Sequence, residues 1–96
     1  MKQYTDKDQT AKLIELGFPK PKSICLSSDN DVMVRGAYSI GELIEFLESN
    51  TDINIWYDGK SHYWYVDYGL RRIGIDNNLV DALYFACVTL KEEGMI

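Results

Sequence analysis

His62 is the only side chain in this 96-residue sequence that changes charge near neutral pH without help from its surroundings. It follows the run Asp58-Gly59-Lys60-Ser61, which has the composition of a turn. Cys25 and Cys87 each lie in an apolar segment, so a Cys–His pair would need a long-range approach, and His62 reads as an ordinary residue beside a hairpin turn. There is no CxxC pair, and both thiols are expected to be free and buried rather than bridged. Asp29-Asn30-Asp31 invites a calcium reading. An EF-hand loop started at Asp29 would need glycine at its sixth position, where Val34 stands, so these are turn residues. Glu42, Glu45 and Glu48 are spread around a helix and form a solvated face rather than a metal or acid–base pair. No Gly-rich phosphate loop, GxSxG or HExxH occurs. The reading therefore assigns no catalytic residue, no metal ligand and no cofactor.

The unusual feature is aromatic. Six of the chain's twelve Phe, Trp and Tyr residues fall between Trp56 and Tyr68. If this region forms an antiparallel meander, Trp56, Tyr63 and Tyr65 share one face with Asp67, Arg72 and Gly74. A Trp–Tyr–Tyr cluster with an arginine has the composition of an interaction hot spot, and Trp56, Tyr63, Tyr65 and Arg72 are the candidate partner-binding residues. The same rings could stack unpaired bases, or serve only as cross-strand pairs that stabilise the sheet.

Composition narrows these uses. With 10 basic and 15 acidic side chains the formal charge is -5, and the only adjacent basic pair is Arg71-Arg72. Nonspecific nucleic-acid binding needs clustered cations that release counterions from phosphates, so a nucleic-acid partner is not expected. The longest apolar run, Ala82 to Val88, is far short of a membrane span. The start, Met1-Lys2-Gln3-Tyr4-Thr5-Asp6, lacks an apolar signal region, which points to a reducing, cytoplasmic setting.

The elements that must position the aromatic face follow from local signals. A helix is expected over 6–16, capped by Thr5, with Ala11, Leu13, Ile14 and Leu16 as its apolar stripe. Gly17 and Phe18 close it, and Pro19 and Pro21 prevent continuation. Ile24-Cys25-Leu26 and Val32-Met33-Val34 flank turn residues 28–31 and read as a short hairpin. Ser39 and Glu42 make a capping box, with Tyr38 and Leu43 as its hydrophobic staple, ahead of a second helix ending near Ser49-Asn50. Strands over 53–57, 62–68 and 71–75 form the meander, with turns at Asp58-Gly59 and Gly69-Leu70. Continuous alternation sends Ile53, Ile55, Trp64, Val66, Ile73 and Ile75 to the core. Asn78 precedes a last helix over 79–93 that is apolar nearly all round, which permits a homodimer without requiring one.

The order of these signatures resembles a known group. A short helix closes on Leu16-Gly17-Phe18. The run from Tyr38-Ser39-Ile40-Gly41-Glu42-Leu43 to Leu47, an aromatic-rich strand, and Asp76-Asn77-Asn78-Leu79-Val80 follow. The chain ends in Leu90-Lys91-Glu92-Glu93-Gly94-Met95-Ile96. In this it is similar to small uncharacterised proteins carried by phages, prophages and mobile elements of gut Bacteroidales. The resemblance implies a cytosolic bacterial or phage protein. Its motifs are helix caps and core stripes, so it carries over a fold and no site residue.

The expectation is one α+β domain over 1–96: a mostly antiparallel sheet, the three-stranded meander plus an N-terminal hairpin, packed by about three helices. The expected function is a non-enzymatic accessory protein binding a protein partner through Trp56, Tyr63, Tyr65 and Arg72. Two alternatives stand beside it. One is a nucleic-acid-associated regulator that stacks bases on the same rings. The other is a small enzyme whose site, gathering His62 with Asp58 or Asp67, is completed by oligomerisation.

Overall fold

Helix ends in this chain are written in short motifs, and the computed structural model, which describes residues 3–21, 24–26, 33–35, 37–48 and 52–96, forms three helices among them, while the end of the second expected at Ser49-Asn50 lies outside the described residues. The first helix, α1 (Lys7–Glu15), is capped by Asp6, whose carboxylate accepts the Gln9 N–H while the Gln9 side chain accepts from the Asp6 N–H. Thr5, the expected cap, has another task. Its N–H donates to the Tyr38 carbonyl at 2.9 Å, and its hydroxyl oxygen accepts the Tyr38 N–H at 3.0 Å. These bonds pin the segment before α1 to the segment before α2 (Ile40–Glu48). Gly17, at φ +97°, closes α1: its N–H bonds to Ile14 and that of Phe18 to Leu13, the Schellman arrangement. In α2, Ser39 and Glu42 exchange the reciprocal capping bonds, and the staple residues Tyr38 and Leu43 are fully buried.

A short pair, β1 (Ile24–Leu26) and β2 (Met33–Arg35), is joined antiparallel with Cys25 opposite Val34. The turn expected at 28–31 lies outside the described residues. The principal sheet is the meander β3 (Ile53–Asp58), β4 (Tyr63–Tyr68) and β5 (Arg71–Asp76), in that spatial order and antiparallel throughout. The β4–β5 hairpin turns at Gly69-Leu70 with Gly69 at φ +59°, as a II′ turn requires of its first central residue. The architecture is α+β.

The last helix, α3 (Leu79–Glu92), lies between this sheet and α2. Asn78 caps it by accepting from the N–H groups of Val80 and Asp81, and Gly94 at φ +74° closes it. Val80, Ala82, Leu83, Ala86, Cys87 and Leu90 are buried along its length. A helix covered on two sides needs apolar residues around most of its girth. One core draws on all three helices and the inner face of the sheet, where Val66 and Ile73 are buried and Ile53, Ile55, Trp64 and Tyr68 pack against them. Burial of each large side chain contributes about 1.5–3 kcal/mol before entropy is set against it. Among the described residues no helix is long and apolar enough to cross a membrane.

One core assignment is overturned. Ile75 faces outward and is exposed, while Gly74 is buried. Tyr68 pairs with Arg71 and Asp67 with Arg72, as alternation from the turn predicts, but Val66 then pairs with Gly74 rather than Ile73. Ile73 is the extra residue of a β-bulge, and beyond it every side chain of β5 changes face. The bulge serves packing. An added Cβ on Gly74 would lie 2.3 Å from the Ala82 carbonyl oxygen, so α3 rests directly on the strand backbone.

Candidate binding face

The register of the meander assembles the outer face row by row. Trp56 stands opposite Tyr65, which stands opposite Ile75; Asn54 stands opposite Asp67, which stands opposite Arg72; Asp58 stands opposite Tyr63. All four candidate partner-binding residues therefore lie on one side of the sheet, turned away from α3. The Trp56 and Tyr65 rings are stacked, 4.4 Å between centroids and 21° between planes. The Arg72 guanidinium lies over Tyr65 at 4.2 Å and near Trp56 at 5.6 Å, within cation–π range of both.

Asp67 holds this group together. It accepts the Trp56 indole N–H at 2.8 Å on one oxygen and the Arg72 Nε–H at 3.1 Å on the other. Three strands are thereby joined by one carboxylate on their outer side. The Tyr65 hydroxyl lies 3.3 Å from that of Ser61 in the β3–β4 loop. Tyr63, two positions along β4 from Tyr65, extends the face toward that loop. Trp56 is 37% exposed, Tyr63 42% and Ile75 47%.

Parity placed Trp56, Tyr63, Tyr65, Asp67 and Arg72 together. It missed Ile75, which replaces Gly74 on this face because of the bulge. The signal was present in the sequence: an isolated glycine inside a strand pattern marks a bulge or a close backbone approach. The use of Asp67 as a double acceptor depends on side-chain rotamers, which alternation does not report.

Of the residues with catalytic potential, Asp58 and His62 meet at the β3–β4 loop, whereas Asp67 and Cys87 lie elsewhere. The Asp58 carboxylate accepts the Lys60 N–H at 3.0 Å and the Ser61 hydroxyl at 3.1 Å, and these bonds hold its pKa below the ordinary aspartate value. It is a loop-ordering residue. His62 sits at φ +61°, donates its backbone N–H to the Asp58 carbonyl, and has Nδ1 3.0 Å from the Tyr57 hydroxyl. Asp67 is engaged with Trp56 and Arg72 instead. Burial pushes the Cys87 thiol up to about 12, and its Sγ–H points to the Leu43 carbonyl, so it stays protonated and unreactive. The Cys25 side chain lies outside the described residues. Among those described, no three His, Cys, Asp or Glu side chains converge to hold a metal ion. Comparison of the chain with protein-family models, with curated proteins and with solved structures finds no match.

Proposed function

We propose that this is a small non-enzymatic accessory protein of a phage or mobile element, acting in the cytoplasm by binding a protein partner through Trp56, Tyr63, Tyr65 and Arg72. The observation that carries the reading is the Trp56–Tyr65–Arg72 stack on the sheet face opposite α3, in which Trp56 and Arg72 are exposed and Tyr65 is half-buried, continued by exposed Tyr63 and Ile75. Large rings and arginine are the residues whose burial dominates protein interfaces. Net negative charge elsewhere on the chain disfavours wrong, acidic partners. Base stacking competes for the same rings. Arg72 is already joined to Asp67, and the chain carries a charge of -5, so the face offers a phosphate backbone no surplus of positive charge.

The test is affinity capture from a bacterial host lysate with the wild-type chain and with a Trp56→Ala/Tyr65→Ala variant. The variant is expected to keep its far-UV circular dichroism and to lose the captured protein, since truncating a hot-spot residue costs about 2 kcal/mol or more. Equal capture by both chains refutes the reading. Salt-dependent binding of labelled single-stranded DNA or RNA, lost in the variant, replaces it with the nucleic-acid one.

A further inference from the structure

The free edge of β3 goes beyond that reading. β3 is an outer strand of the meander, and no described strand pairs on its other side. The direction of its backbone groups follows from the ladder. The Gly69 N–H donates to the Asp52 carbonyl at 2.9 Å, which makes 52 and 69 a hydrogen-bonded pair. In an antiparallel ladder bonded and non-bonded pairs alternate, so Asn54, Trp56 and Asp58 bond to β4. The N–H and C=O groups of Ile53, Ile55 and Tyr57 therefore point out of the sheet.

Exposed edges are normally blunted by lysine, proline or a bulge. β3 reads Ile-Asn-Ile-Trp-Tyr-Asp, has none of the three, and keeps an unbroken register with β4 over its full length. Apolar surface borders the edge on both sides of the sheet: Trp56 on the outer face, and Tyr57, 46% exposed, on the inner.

We propose that β3 pairs antiparallel with β3 of a second copy of this chain, making one continuous six-stranded sheet about a two-fold axis. Only odd-numbered residues have outward backbone groups, so bonded pairs must join odd residues, and few registers remain. Setting Ile55 against itself brings Asp52 against the partner's Asp58, a like-charge contact. Setting Tyr57 against itself carries most of the overlap into the loop after Asp58. Of the registers that avoid both faults, the one that pairs the most of β3 sets Ile55 against the partner's Tyr57, Asn54 against the partner's Asp58, and Trp56 against its own copy. Trp56 then occupies a non-bonded pair, where side chains approach most closely. The ring row Tyr65–Trp56 runs on across the axis into the same row of the second chain. A two-fold interface demands this self-complementarity.

Because residue 56 faces itself, a charge placed there faces its own sign. In sedimentation and native mass spectrometry the wild-type chain is expected at twice its 11.1 kDa mass. Trp56→Lys and Trp56→Glu chains are each expected to be monomeric, and their equimolar mixture to form the mixed dimer. Tyr57→Pro separates this inference from the partner-binding one. It removes an outward N–H while leaving the β3–β4 bonds and the Trp56 face in place, so dimerisation is lost and partner capture by the face is kept. A wild-type chain that stays monomeric up to about 1 mM overturns the proposal. So does a charge-swapped mixture that remains monomeric, a readout that stands even if the proline variant does not fold.

Discussion

Substituting Gly74 by alanine tests the central contact of the fold. The added methyl would sit 2.3 Å from the Ala82 carbonyl oxygen, 3.2 Å from its carbon and 3.3 Å from the Val66 Cβ. The first two atoms are backbone of α3, so no side-chain rotation relieves the clash, and α3 must retreat from β5 by about 1 Å. Forcing an extra methyl into a packed core costs about 1–3 kcal/mol. Here a rigid helix must move as a body, which places the cost at about 3 kcal/mol. Replacing a strand glycine by alanine returns roughly 0.5–1 kcal/mol of backbone entropy. The net loss of about 2 kcal/mol corresponds to a fall in Tm of about 8–16 °C for a domain of this size. Thermal melts followed by circular dichroism measure it. Gly59→Ala is the control, because no atom lies within 4 Å of the position its Cβ would take. A Gly74→Ala chain melting within about 2 °C of wild type refutes the close approach, and with it the bulge that turns Gly74 inward.

The same bulge separates two neighbouring isoleucines. Ile73→Ala, emptying a buried site, is expected to cost about 2–5 kcal/mol, and Ile75→Lys, on the outer face, less than about 0.5 kcal/mol, both read from chemical denaturation. The reverse order would mean that alternation runs unbroken along β5. Arg71 makes two hydrogen bonds to the Glu93 carboxylate, tying the start of β5 to the end of α3 and holding the Glu93 pKa below the ordinary glutamate value. A carboxylate with a depressed folded-state pKa contributes stability above its unfolded pKa and loses it as pH falls through the folded value. Arg71→Gln is therefore expected to flatten the acid limb of the stability–pH curve while leaving the folded spectrum unchanged. An identical acid limb in both chains counts against the link.

Helix ends were the most legible part of the sequence because their bonds are local. Ser39 with Glu42 and Gly17 before Phe18 each act within a few residues, and each forms as read. Thr5 and Asp6 show the limit. Both are good caps, but Asp6 has Gln9 three residues on, whereas the buried Thr5 bonds to a segment more than thirty residues away. The partner of that long-range bond is not written nearby. The outer face of the sheet was legible as far as period-two alternation holds, which covers β3, β4 and the first residues of β5. One inserted residue resets the phase, so Ile73 kept its place by being the insertion while Gly74 and Ile75 exchanged faces. What the pattern of residue types could not express is that Asp67 serves two donors from different strands.

That carboxylate has a consequence for recognition. By bracing Trp56 from β3 and Arg72 from β5 while standing on β4, Asp67 fixes the rotamers of these two side chains when the chain folds. Ordering a long side chain at an interface ordinarily costs about 0.5–1.5 kcal/mol each, a toll levied at association. If the face binds as proposed, that cost is met at folding for Trp56 and Arg72, so contact would resemble a key meeting a cut lock rather than a hand closing. Replacing Asp67 with alanine would leave every ring in place in the sequence and remove the brace, turning a rigid template into a loose one.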